Sequence, residues 1–160
     1  MKTSHQKAFT QIELIFVMLV VGILAAVSIP KLASSRDDAN GAKCTQEAQQ
    51  LLTEITQRYS NEGYSTFSTL PVDDMTNLRI GISEDDGISS ASGTKVSEGI
   101  IYMCDSENIV KIQGQLTSVE YNLTVTDLNP STPAALTAAK LIRKLNDISA
   151  AGGSRIYVLQ

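Results

Sequence analysis

Residues 14–29 of this 160-residue chain, LIFVMLVVGILAAVSI, contain no ionisable side chain. Extended back to Phe9 the stretch is about 20 residues long, and at about 1.5 Å per residue a helix of that length matches the roughly 30 Å hydrocarbon core of a bilayer. It is long enough to span a membrane once. A core helix of a soluble domain would need a polar face, and residues 14–27 offer none. The near-zero mean hydropathy is therefore an average over an apolar segment and a polar remainder. Against 17 acidic residues stand 13 basic ones, a net charge of −4, so no cationic excess exists to neutralise phosphates and no direct nucleic-acid binding is expected. Lys2 and Lys7 precede the run while Lys31, Arg36 and Lys43 follow it, so flanking charge does not set an orientation.

One carboxylate stands at the edge of the run. Placing Glu13 there costs on the order of a few kcal/mol unless it is paired or reaches the headgroups. Lys7 lies too far back and Lys31 at the other end, so a partner would come from outside the chain.

The block AFTQIEL at residues 8–14, followed by the apolar run and Pro30, resembles the processing motif of type IV prepilins and of type II secretion pseudopilins. Four features carry the resemblance: a short hydrophilic leader with Lys2 and Lys7, a small residue followed by Phe, Glu five places after that junction, and an uncharged helix. The family usually has Gly where Ala8 stands and often Leu where Gln11 stands. The resemblance implies a cytoplasmic leader over residues 1–8, cleavage between Ala8 and Phe9 by a prepilin peptidase, and N-methylation of Phe9. It implies a membrane and assembly helix over 9–30 and a periplasmic or extracellular pilin-like α+β domain over 31–160. The implied partners are other pilin or pseudopilin subunits, the peptidase, an inner-membrane assembly platform and the membrane itself. Within an assembly, Glu13 would offset the N-terminal amine of a neighbouring copy, because two buried charges are costly unless they meet. Gly22 and Pro30 match positions between which a pilin helix can lose helicity in a filament. Glycine's weak propensity and the missing amide of proline predict a kink there.

Beyond Pro30, Ala48, Leu51, Leu52, Ile55 and Tyr59 recur at helical spacing, and Asn61, Glu62 and Gly63 read as a stop, giving a helix from about Phe9 to Ser60. Residues 63–99, rich in Ser, Thr, Asp and Gly, read as a long variable connection with a short apolar stretch at 78–82. Residues 99–104 and 109–112 flank a turn-rich tetrapeptide at 105–108 and predict a hairpin. Alternation then places Val119, Tyr121, Leu123 and Val125 on one strand face, facing the Leu51, Leu52 and Ile55 stripe. Ser131, Thr132 and Pro133 open a helix in which Leu136, Lys140, Leu141, Leu145 and Ile148 keep helical spacing, ended by Gly152 and Gly153. Residues 155–159 form a terminal strand at a sheet edge or tucked into one.

Cys44 and Cys104 either form one disulfide or stay as separate buried thiols, and without a His or further Cys nearby they make no structural zinc site. No GxGxxG, P-loop, GxSxG or HExxH pattern occurs, and the single histidine, His5, falls in the leader, so neither catalysis nor a cofactor is expected. Asp73 with Asp74, and the EDDG stretch at 84–87, lack the ligand spacing of a calcium loop and read as solvated turns. Asn122, Leu123 and Thr124 form a glycosylation triplet inside an expected strand.

The function expected is that of a structural filament subunit in adhesion, motility, secretion or DNA uptake. The competing reading is a non-polymerising domain, either secreted after cleavage at Ser28 or anchored by an unprocessed helix.

Overall fold

The computed structural model describes residues 10–84, 87–90, 92–118 and 120–159. The expected processing junction at Ala8 and Phe9, the acidic pair Asp85 and Asp86, and Val119 lie outside the described residues.

The chain separates into two compact units, Met1–Arg36 and Asp37–Gln160. Helix α1, Gln11–Phe67, contributes to both. In the first unit every described residue is exposed, as an apolar surface on all sides of one helix requires. The backbone stays helical through Gly22 and Pro30. Proline removes one amide donor while the bonds of neighbouring turns persist, so helicity survives it. A break falls at Gly63, whose φ of 70° and ψ of 168° leave the helical region, and helix resumes as far as Phe67. The expected end at Ser60 is therefore seven residues short. The stop signal at 61–63 is a real local interruption that packing of Phe67 into the core overrides.

The second unit is the expected α+β layout, with the outer part of α1 packed on an antiparallel sheet and a later helix and terminal strand added. Six strands, β1 (Ile80–Glu84), β2 (Gly87–Ser90), β3 (Ile100–Cys104), β4 (Glu107–Leu116), β5 (Tyr121–Asp127) and β6 (Ser154–Leu159), lie in the order β2-β1-β3-β4-β5-β6. All pairings are antiparallel. The β3–β4 hairpin turns through Asp105 and Ser106 alone, with φ of 52° and 65°. Two consecutive left-handed residues match the strand twist, so Glu107 and Asn108, expected in the turn, join the ladder. The connection expected over 63–99 contains β1, β2 and two short 3-10 turns. Strand β1 is fixed by a distant partner, Ile80 opposite Tyr102, which local patterning could not reveal.

Tyr121, Leu123 and Val125 point into the core with Leu51, Leu52 and Ile55, as the alternation predicted. Helix α2 (Pro133–Leu145) starts after Thr132 with Pro133 in its first turn, but ends at Leu145, well before Gly152. Its buried face is Ala134, Ala135, Ala138, Ala139 and Ile142, whereas Leu145 is 63% exposed and Leu141 and Lys140 also face outward. Ile148 is buried but lies beyond the helix. Close approach decides which face turns in. A Cβ on Gly41 of α1 would come within 2.7 Å of both the Ala134 carbonyl oxygen and the Thr137 Cβ, so only small residues fit the contact between the two helices. Strand β6 lies at the sheet edge.

Candidate assembly site

The apolar surface of residues 10–36 includes Phe16 at 65% exposure, Leu24 at 62% and Leu32 at 69%. The helix is long and apolar enough to cross a membrane. At its start the Thr10 hydroxyl accepts a hydrogen bond from the Glu13 amide at 3.3 Å, and the Thr10 amide donates to Glu13 Oε2 at 3.5 Å. This reciprocal pair is a capping box, which satisfies two amides that have no partner inside the helix. From the sequence, Glu13 was expected either to meet a partner outside the chain or to reach the headgroups. The spacing of Thr10 and Glu13 was the signal for a second, local role. Both roles are compatible, since a carboxylate has several acceptor positions.

Three polar anchors hold the second unit together. Glu107, first residue of β4, accepts from the Ser131 amide at 2.7 Å, the Thr132 amide at 2.9 Å and the hydroxyls of both residues, tying the β3–β4 hairpin to the start of α2. The Ser131 hydroxyl and the Thr132 amide chiefly lower the Glu107 carboxyl to about 2. Asp127 at the end of β5 is buried, pairs with Arg143 of α2 at 2.8 Å, and accepts from the Gly152 amide at 2.9 Å. Tyr102 donates to Glu47 of α1 at 2.6 Å, and burial followed by this carboxylate raises the phenol's pKa. Beside it, Cys44 and Cys104 form a disulfide with Cα atoms 5.8 Å apart, cross-linking α1 to β3. No sequence pattern marked Glu107, Asp127 or Glu47, because their partners lie far away in the chain.

Among the described residues, hollows open on the second unit. One, of about 170 Å³, lies between Gln49, Leu52 and Thr56 of α1 and Leu145 and Tyr157. Another, of about 410 Å³, is lined by Tyr64, Phe67, Tyr121, Leu116, Lys95 and Glu98 among others. Among the described residues no cluster of His, Cys, Asp and Glu is suited to a metal ion. Asp73 instead accepts from the Ser92 hydroxyl at 2.9 Å and the Gly93 amide at 3.1 Å, the bonds that lower its carboxyl. Asn122 sits within β5 with its Oδ1 buried and unpartnered among the described residues. Comparisons with protein-family models, with curated proteins and with solved structures find no match to this chain.

Proposed function

We propose that the chain is a structural subunit of a type IV pilus or pseudopilus, cut between Ala8 and Phe9, N-methylated on Phe9, and polymerised through its N-terminal helix. It resides as a single-pass protein in a bacterial inner membrane with residues 31–160 in the periplasm, and at the cell surface when assembled into a pilus. The observation that carries this reading is the pairing of an exposed apolar helix with one carboxylate at its head. Lipid solvates such a helix before assembly and neighbouring copies cover it afterwards. Moving the Glu13 carboxylate into a dry bundle is favourable only where a cation meets it, and a fresh terminal amine on another copy supplies one. The disulfide accords with an oxidising compartment. The extra helix α2 suits a specialised component.

The capping box favours a second reading, a membrane-anchored domain that does not polymerise, because it gives Glu13 a purpose without a neighbour. Glu13→Gln separates the two. Glutamine preserves a capping box but carries no charge. The filament reading expects normal membrane insertion and lost incorporation into filaments, and normal incorporation would refute the pairing. Terminal sequencing of the protein from cells expects N-methyl-Phe9; Met1 or Ile29 at the terminus would overturn the processing.

A further inference from the structure

The geometry points to a sugar-binding site in the 410 Å³ hollow of the second unit, with room for a pyranose ring. Its volume falls within the roughly 300–1,000 Å³ typical of small-ligand sites. It is built by the break at Gly63, where a left-handed φ redirects the last turn of α1 so that Tyr64 and Phe67 meet Tyr121 at ring-centroid distances of 5.9 and 5.4 Å. Tyr59 stacks on Tyr121 at 5.4 Å and fixes this cluster from beneath. Tyr64 is 39% exposed and Leu116 49%, so an apolar platform remains open to solvent.

The walls are polar. The Ser68 and Thr69 hydroxyls donate to the carbonyls of Ser65 and Thr66, which leaves their oxygens free to accept. Lys95 and Glu98 make no ion pair among the described residues, and Glu98 holds only the Lys95 amide, at 3.4 Å. The Tyr121 hydroxyl lies over Gly114, where a Cβ would collide with it, and has no protein hydrogen-bond partner among the described residues. The hollow thus offers an aromatic platform, one cationic donor, one anionic acceptor and several hydroxyls.

This set selects a ligand class. One cation balanced by one carboxylate does not suit a phosphate or a nucleic acid. An extended peptide would need a free strand edge; β5 is paired on both sides, and beyond Ile112, where β4 leaves β3, the Gln113 side-chain amide donates to the Ser97 carbonyl at 3.3 Å on that side. A pyranose presents an apolar face of C–H groups for Tyr64 and a rim of hydroxyls that both donate and accept. The inference is independent of the filament reading, since no residue of the first unit takes part.

The test uses the full chain in a detergent without a sugar headgroup, titrated with the methyl glycosides of glucose, galactose, mannose and N-acetylglucosamine and followed by saturation-transfer NMR. Saturable binding of at least one glycoside below about 10 mM is expected. Tyr64→Ser and Lys95→Ala should each weaken it about tenfold or more, while Leu145→Ala, in the other hollow, leaves it unchanged. Lys95→Ala keeps the test decisive where Tyr64→Ser unfolds the chain. Absence of saturable binding by all four glycosides, or binding unaffected by Lys95→Ala, overturns the site.

Discussion

The two parts of α1 treat the same kinds of side chain in opposite ways. Leu19 and Leu24 in the first unit are 59% and 62% exposed, whereas Leu51 and Ile55 in the second are fully buried. Around residues 14–29 there is no polar stripe, so no sheet could cover one side without leaving the other in water. In the outer part, Gln, Glu and Arg alternate with the apolar stripe, and one sheet face completes the burial. In the first unit the described apolar residues are therefore left uncovered, and in the second burial is complete within the unit.

Charges placed in the first unit attack this contrast hardest. Val20→Lys combined with Leu24→Lys should move the protein from the membrane fraction to the soluble one, with a cost of about 6 kcal/mol for insertion. The melting temperature of the second unit should stay the same, and a shift in it would show that the two parts are not separately completed. Next in size is Cys44→Ser with Cys104→Ser. Loss of a cross-link separated by 60 residues should destabilise the second unit by about 4 kcal/mol in the loop-entropy description, read by denaturant unfolding, with membrane partition unchanged. Gly41→Ala should cost about 1–3 kcal/mol, because backbone and Thr137 crowd the new methyl, again with no effect on partition.

The smallest effect is the acid response of Glu107. Its folded carboxyl is held near 2, below its ordinary 4.5, so its contribution is fully present above about 4.5 and is lost as the pH falls toward 2. Thermal melts across that window should decline more steeply for the native chain than for Glu107→Gln. Equal slopes would mean that the clamp on Ser131 and Thr132 does not hold the hairpin to α2.

Periodicity made the core legible wherever one side chain's fate depended on near neighbours. The stripe at Leu51, Leu52 and Ile55 and the alternation at Tyr121, Leu123 and Val125 both point where local patterning put them. For α2 the helical spacing of Leu136, Lys140, Leu141, Leu145 and Ile148 indicated a helix but did not indicate its buried face. A row of alanines faces inward there, because Gly41 lets the two helices approach too closely for larger side chains. Of the candidate site, the apolar helix, Glu13 and the capping spacing from Thr10 are readable in the sequence. The aromatic hollow is not, since Tyr64 and Tyr121 stand far apart in the chain and meet only through the break at Gly63.

By itself the sequence determined that one segment would bury no face of its own and that another would bury one, because hydrophobic pattern is a property of neighbouring residues. Tertiary structure alone decided that Cys44 meets Cys104, that β1 pairs with β3, and that alanines rather than leucines of α2 turn inward. Those outcomes depend on distances between residues remote in the chain, which closing the fold sets and no local pattern encodes.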